Sequence, residues 1–242
     1  MKRLIFIINV FICSQNFASE QVFELGNKQY INENYSLAIL NYDSILTSGL
    51  ESSELYYNLG NCHYKTNDWA NAIWHYEKSL QLNNNEKTIH NLKLANLKII
   101  DRIVPLPQLF YKKWWITLTQ TLSTHFWQIL AFLGIGLIFI LQLISQFTSL
   151  KSKLITRIFS VITVITLLIT QTSYHNNFTK RDAIIFSETI TVNSAPTSSS
   201  TNLFTLHAGS KVEIIDSIGD WINIKIANGN RGWISENSIK EL

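Results

Sequence analysis

Two consecutive stretches of the chain repeat each other at a fixed offset of 34 residues. When 19–52 is written above 53–86, the matches fall in both halves of the unit. The paired residues are Leu25 and Leu59, Gly26 and Gly60, Asn27 and Asn61, Tyr30 and Tyr64, Ala38 and Ala72, Ile39 and Ile73, and Tyr42 and Tyr76. A period of this length predicts a stack of equivalent supersecondary units, each of which buries its apolar face against the next.

The residue types within each unit resemble the tetratricopeptide repeat (TPR) family, in which one unit is a helix-turn-helix. In the second unit, Gly60 and Ala72 stand where the two helices cross, and larger side chains there would separate the backbones. Asn67 and Asp68 are natural turn and cap residues between the helices. The sequence therefore predicts an all-α region at 19–103.

A third unit begins at Lys87 and stops halfway. Apolar residues recur with helical spacing over 87–103, which predicts an amphipathic capping helix on the open face of the second unit. Two units and a cap are few, since about three repeats are usually needed for stability. We therefore expect help from a partner or from self-association.

The TPR resemblance also implies a partner-binding groove formed by first-helix positions. Carried over to this sequence, the groove residues are Asn27, Tyr30, Tyr57, Asn61, Tyr64 and Lys65. Asparagine at the same place in both units suggests hydrogen bonds to the backbone of an extended peptide.

Cys62, His63 and His75 are chemically reactive residue types, but their spacing does not favour a reactive site. Adjacent helical residues point about 100° apart, so Cys62 and His63 cannot easily share one metal ion. No phosphate-binding loop, paired-cysteine motif or H-E-x-x-H motif occurs. We expect no catalytic residues, no metal, no cofactor and no enzymatic activity.

The first 18 residues have the pattern of a secretory signal peptide. Lys2 and Arg3 precede an apolar segment, and small residues follow at Ala18 and Ser19. Cleavage near Ala18 is favoured, although the cleavage motif is imperfect. An uncleaved anchor and a lipoprotein signal at Cys13 are the alternatives.

Two charge-poor apolar segments between 125 and 173 predict a transmembrane helical hairpin. Segment 125–144 contains no charged residue, and 154–173 contains only Arg157, near its start. Twenty helical residues span about 30 Å, the thickness of the bilayer core. Burial in a soluble core is the alternative interpretation. Residues 104–124 form a proline- and aromatic-rich interfacial linker whose rings suit the headgroup layer, with a binding patch as the alternative role, and 174–182 form a second linker.

Residues 183–242 alternate β-branched and polar residues in about five short strands, which predicts a small all-β barrel. The order of "VNSAP", "DW" and "GNRGWI" resembles a bacterial SH3-like domain. That resemblance implies an aromatic ligand groove containing Trp221 or Trp233. Packing in the core or at its rim is the alternative role for both tryptophans.

The fold class is therefore multidomain: TPR helices, a transmembrane hairpin and an SH3-like barrel. The order of parts, with "RIVPLPQLFYKKWW" and "NLKLAN", resembles the E-type members of the bacterial aerotolerance (Bat) proteins. That resemblance implies a non-enzymatic periplasmic scaffold on the inner membrane, linked to oxidative-stress tolerance. Its implied partners are membrane proteins with von Willebrand A domains and a MoxR-type ATPase. Peptidoglycan tethering is the alternative function, and a transmembrane sensor is a weaker one. A net charge of +3 gives no case for nucleic-acid binding.

Overall fold

The computed structural model describes residues 19–107, 109–147, 153–175 and 179–242. The chain forms two compact units. The first combines the chain up to Pro105 with Asp182–Leu242, and the second comprises Leu106–Arg181. The predicted signal peptide, 1–18, lies outside the described residues.

Five helices form the repeat region of the first unit. They are α1 (19–31), α2 (Tyr35–Thr47), α3 (Ser53–Lys65), α4 (Trp69–Leu82) and α5 (Glu86–Asn96). The two helix-turn-helix units predicted from the 34-residue offset are confirmed. The predicted cap is also confirmed, since the Asp68 side chain accepts a hydrogen bond from the Asn71 backbone N–H at the start of α4.

The two repeats match each other at the level of single contacts. A methyl group added at Gly60 would lie 2.5 Å from a ring carbon of Tyr76, and one at Gly26 would lie 2.5 Å from Tyr42. Both turns also use a left-handed residue, with φ of 62° at Asn67 and 63° at the matching Glu33. The glycines thus let the two helices of each repeat approach until a tyrosine ring fills the gap.

The capping helix is shorter than the predicted 87–103, because α5 ends at Asn96. The chain that follows, 97–105, leaves the helix and lies against the β-domain. Ile103 packs against the β-domain core, and Asp101 binds the β3–β4 turn. These contacts, which the helical spacing did not reveal, account for the early end of the helix.

Seven strands form one sheet at the C-terminal end of the first unit, in the order β3-β2-β6-β5-β4-β1-β7. They are β1 (Arg181–Ile185), β2 (Thr189–Asn193), β3 (Asn202–His207), β4 (Lys211–Ile218), β5 (Trp221–Lys225), β6 (Arg231–Ser235) and β7 (Ile239–Glu241). The all-β prediction is confirmed, but the estimate of five strands is wrong. β7 has only three residues, too few to show an alternating pattern.

The repeat region and the β-domain pack together within the first unit, although the sequence suggested separate domains. Trp74 Nε1 donates a hydrogen bond to the Glu241 carbonyl oxygen at 2.8 Å, and Lys240 Nζ lies 3.5 Å from the centre of the Trp74 ring. Lys211 Nζ is 2.8 Å from Glu77 Oε2. We call this contact between α4, 97–105 and the β-domain the joint.

A hydrophobic cluster continues through the joint. Ile73 and Trp74 on α4 share it with Ile184 of β1, and all three are buried. Gly209, in the β3–β4 turn, has φ of 91°. A methyl group added at Gly209 would lie 2.5 Å from Ile99 Cγ2. The close approach at this turn requires a residue without a side chain.

The described residues of the second unit form three α-helices: α6 (Phe110–Gln120), α7 (Thr124–Phe147) and α8 (Lys153–Tyr174). α7 and α8 are each long and apolar enough to cross a membrane. They touch closely at Gly134, where an added methyl group would lie 2.5 Å from Thr163 Oγ1, and Thr124 Oγ1 is 2.8 Å from Ser173 Oγ. The segment predicted as a linker, 104–124, contains the helix α6.

Candidate functional site: a cavity in the repeat region

A cavity of about 190 Å³ lies among the first helices of the repeats and α5. Its lining residues are Tyr30, Asn61, Tyr64, Lys65, Tyr76, Asn91 and Leu94. Four of the six groove residues predicted from the sequence are among them. The repeat stacking brings Tyr30 of the first unit next to Tyr64 and Lys65 of the second.

The two groove asparagines are engaged within the protein. Asn61 Oδ1 accepts hydrogen bonds from Tyr76 Oη at 2.8 Å and from Asn91 Nδ2 at 2.8 Å. Asn27 Oδ1 accepts one from Tyr42 Oη at 2.7 Å. Each oxygen therefore holds a tyrosine of its own repeat in place and is not free to accept a hydrogen bond from a ligand. Asn61 Nδ2 has no partner within the described ranges and remains a donor at the cavity wall.

The other two predicted groove residues do not line the cavity. Asn27 also accepts from Asn58 Nδ2, and its Nδ2 group donates to Glu24. The Tyr57 hydroxyl accepts a hydrogen bond from Asn91 Nδ2 at 3.2 Å. Tyr57 therefore holds Asn91, a lining residue, in place.

Lys65 is the one charged side chain among the residues that line the cavity. Within the described residues it forms no ion pair, so its charge is available to a ligand. Desolvation by burial, reinforced by Cys62, raises the pKa of Tyr30, and burial likewise raises the pKa of Tyr76. Both phenols therefore stay protonated at neutral pH. The cavity presents one positive charge, aromatic walls and the Asn61 amide donor, which suits an extended peptide with an acidic group.

Three lining residues were missed by the sequence analysis: Tyr76, Asn91 and Leu94. Asn91 lies 34 residues after Tyr57, so the repeat offset could have identified it as a groove position. From the sequence, Tyr76 was named only as the position that repeats Tyr42. In the structure, Tyr76 packs over Gly60 and also forms part of the cavity wall.

A larger cavity of about 310 Å³ lies at the start of the repeat region and was not expected. Its lining comprises Ser19, Glu20, Phe23, Ile45, Leu50, Glu51, Ser52, Glu54 and Leu55. Glu51 Oε2 accepts a hydrogen bond from the Tyr56 hydroxyl there. This cavity borders Ser19, where the described part of the chain begins, and shares no residue with the predicted groove.

Trp221 and Trp233 lie on the outer face of the β5–β6 ladder. Their neighbours Ile222 and Ile234 are buried in the core, so alternation places both tryptophans on the opposite face, where they are half-buried. Asn223 is paired with Trp233 across the ladder, and its Oδ1 atom is buried without a partner in the described residues. Alternation and cross-strand pairing thus place the two rings and the Asn223 side chain on the same outer face, which we call the outer patch.

Cys62, His63 and His75 contact other residues of the second repeat. Cys62 is fully buried, and burial, with Asp43, raises the pKa of its thiol to about 12. His63 Nδ1 lies 3.2 Å from Asp68 Oδ2, and its ring stacks on His75 at 5.1 Å. Among the described residues, no group of three or more His, Cys, Asp or Glu residues could hold a metal ion.

Asp101, His207 and Ser210 lie together but do not have the geometry of a nucleophile and base. Ser210 Oγ donates to Asp101 Oδ2 at 2.6 Å, and His207 Nδ1 lies 2.9 Å from Asp101 Oδ1. The serine is therefore bound to the carboxylate and not to the histidine, and it is fully buried. The cluster fastens 97–105 to the β3–β4 turn.

Comparisons with known proteins agree with the fold of the first unit. Residues 53–86 match the tetratricopeptide repeat family, and residues 189–240 match the bacterial SH3 domain family. No curated protein matches the chain. One similar solved structure is NlpC2 from Trichomonas vaginalis, at 15% identity and a TM-score of 0.24, over 26% of this chain and 25% of that chain.

Each family match covers only part of the chain. Both families are associated with protein–protein interaction, and bacterial SH3 domains also with the cell wall. The chain thus carries a tetratricopeptide repeat and a bacterial SH3 domain, with two candidate membrane helices between them.

Proposed function

We propose that this protein is a membrane-anchored adaptor that holds a partner protein in the repeat cavity. The observation that carries this proposal is the cavity wall, where Tyr30, Tyr64 and Lys65 converge around an open space. Lys65 forms no ion pair within the described residues. A single cation beside aromatic rings and the Asn61 amide donor fits a peptide that carries a carboxylate.

A photocrosslinking amino acid at Tyr64 tests the proposal in living cells. We expect a discrete crosslinked protein at Tyr64 and none at Ser44, an exposed α2 residue outside the cavity. Lys65→Glu should abolish the crosslink by repelling an acidic peptide, whereas Lys87→Glu on α5 should preserve it. Equal crosslinking at Tyr64 and Ser44, or persistence of the product in Lys65→Glu, would contradict the proposal.

The joint supports a topology in which both flanks of the hairpin lie on one side of the membrane. Trp74 precedes α7 and Glu241 follows α8, yet they share a hydrogen bond. Segments that pack together must occupy the same compartment, so an even number of crossings must separate them. Together with the signal-like N-terminus, this supports anchoring in the inner membrane with the first unit on the periplasmic side.

Reporter fusions test this topology. An enzyme active only after export should be active when fused after Leu242 and inactive when inserted at Ser149, between the two candidate spans. The opposite pattern would refute the periplasmic location. Activity at both positions would refute the hairpin.

The architecture supports a more specific proposal, membership in a Bat-type envelope complex linked to oxidative-stress tolerance. The support is the order of parts: signal-like segment, TPR, membrane hairpin and SH3-like domain. The partner in the cavity would then be a membrane protein with a von Willebrand A domain. Identification of the Tyr64 crosslink as an unrelated protein would contradict this assignment.

Peptidoglycan tethering is the second candidate function, and the patch of Trp221, Asn223 and Trp233 favours it. Half-buried rings on an outer face, beside an amide, suit a glycan or a short peptide. The full chain in detergent should then sediment with purified sacculi, and Trp221→Ala should reduce sedimentation. Ile218→Ala, which removes an exposed neighbour of Trp221 on β4, is the matched control. Absence of sedimentation would leave the adaptor proposal as the only one.

A further inference from the structure

The helix α6 has an unusual surface for a segment outside the two candidate spans. Phe110 is 85% exposed, Trp114 is 74% exposed and Tyr111 is 53% exposed. Lys112 and Lys113 are also exposed, and neither forms an ion pair within the described residues. An aromatic surface this open is unfavourable in water.

Contacts within the second unit show which end of the hairpin α6 packs against. Trp115 Nε1 donates a hydrogen bond to Thr172 Oγ1 at 3.3 Å, and Thr172 lies in the last turn of α8. Thr119 is buried. α6 therefore packs beside the end of a candidate span, where the hydrocarbon core meets the headgroups.

The length of α6 excludes a third crossing. Its 11 residues cover about 16 Å, roughly half the thickness of the bilayer core. A short helix with aromatic and basic residues beside a span fits a position in the plane of the interface.

All charged side chains of the second unit are positive. Residues 106–181 contain seven Lys and Arg residues and no Asp or Glu. No carboxylate in this unit can neutralise Lys112 and Lys113, so their charges attract anions from outside the unit. The anions available at a membrane surface are the phosphate groups of lipids.

We propose that α6 lies in the membrane interface, where Lys112 and Lys113 bind the phosphate groups of anionic phospholipids while Phe110 and Trp114 insert among the lipids. Lys112 and Lys113 are neighbours in sequence, and their flexible stems let both ammonium groups reach phosphates at one level. The binding selects lipids by charge, because zwitterionic headgroups carry no net charge. This inference rests on the membrane anchoring proposed above.

The test uses the full chain reconstituted into phosphatidylcholine vesicles with traces of spin-labelled phosphatidylglycerol or phosphatidylcholine. The protein should retain phosphatidylglycerol preferentially. Lys112→Gln with Lys113→Gln should lower the affinity of this site for phosphatidylglycerol roughly fivefold for each charge removed. Lys112→Arg with Lys113→Arg should retain the preference, and Lys87→Gln with Lys93→Gln, which removes the same charge from α5, should not change it.

Trp114 provides an independent readout of depth. The difference in fluorescence between wild type and Trp114→Phe isolates its emission, which brominated phospholipids should quench and aqueous iodide should not. Unchanged lipid preference in Lys112→Gln with Lys113→Gln, equal loss in the α5 control, or quenching of Trp114 by iodide alone would overturn the proposal. If no motionally restricted lipid appears with any variant, the membrane anchoring itself is refuted, so the two failures are distinguishable.

Discussion

Gly60 shows how one residue type in the sequence determines a contact in the structure. Its absence of a side chain lets the fully buried Tyr76 ring lie against the α3 backbone, and the same ring reaches the cavity. The sequence predicted a close helix crossing at Gly60, and the structure identifies Tyr76 as the side chain that packs there. The contact between Gly60 and Tyr76 thus packs the two helices of the repeat together and also positions part of the cavity wall.

Gly60→Ala is expected to loosen the second repeat. The added methyl would lie 2.5 Å from the Tyr76 ring, so the ring or a helix must move. Overpacking of this kind costs typically 1–3 kcal/mol, of which helix propensity returns up to about 1 kcal/mol. Hydrogen exchange of α3 and α4 amides should report a loss of about 1–2 kcal/mol. Gly136→Ala on α7 is the control, since nothing lies within 4 Å of its added methyl; equal protection in both variants would contradict the prediction.

For the groove, the sequence predicted positions but not the hydrogen bonds of their side chains. Tyr30, Tyr64 and Lys65 line the cavity, as their repeat positions implied. The role expected for Asn61 was different, because its oxygen binds Tyr76 and Asn91 instead of a ligand. A repeat offset identifies equivalent positions. It does not reveal which side chains hydrogen-bond to each other once the repeats stack, and so which polar groups are left for a ligand.

At the scale of elements, the segment 97–105 is the main departure from expectation. Its apolar spacing is compatible with a helix, and the predicted helix extended to residue 103. Ile99 and Ile103 instead contact the β-domain, and Asp101 satisfies the β3–β4 turn. The competing contacts come from residues more than 100 positions later, which no local pattern contains. The short strand β7 and the helix α6 escaped prediction for a similar reason, since each is short and positioned by its neighbours.

The Asp101 cluster makes the joint sensitive to acid. Partial burial opposes ionisation of Asp101, but hydrogen bonds from Ser210 and His207 outweigh it, so its pKa lies below the ordinary value. A carboxyl with a depressed folded pKa contributes stability above its unfolded pKa of about 4, and the contribution is lost as pH falls through the folded value. Asp101→Asn should therefore cost about 1–3 kcal/mol at neutral pH and progressively less below pH about 4.

Hydrogen exchange of β3 and β4 amides across pH measures that cost as the difference between wild type and Asp101→Asn. Glu236→Gln, an exposed carboxyl elsewhere on the β-domain, serves as the control. A difference that stays constant from neutral to acid pH would exclude Asp101 ionisation as the source of stability.

At the scale of the whole molecule, the joint unites two parts of the chain that the hairpin separates in sequence. The 34-residue offset with its resemblance to TPR, the apolar segments, and the resemblance of 183–242 to SH3-like domains predicted three separate parts. The joint could not be predicted, because Trp74 reads equally well as a residue of repeat packing, and Lys240 and Lys211 carry no spacing signal. Its hydrophobic cluster includes both Tyr76, at the cavity wall, and Ile184 of β1. The β-domain therefore takes over part of the stabilisation that a third repeat would supply.

Deletion of α8 tests this dependence through membrane topology. Without Lys153–Tyr174, one crossing remains, so the β-domain and the repeat region should lie on opposite sides of the membrane and the joint cannot form. Trp74 loses its acceptor at Glu241 and Ile73 loses Ile184, which exposes the apolar face of α4. We expect rapid proteolysis at 97–105 and weaker hydrogen-exchange protection of α4 and α5. An unrelated apolar helix of 22 residues in place of α8 restores the number of crossings and should restore protection. If the deletion leaves α4 and α5 fully protected, the repeat region is stable alone and the β-domain is not its cap.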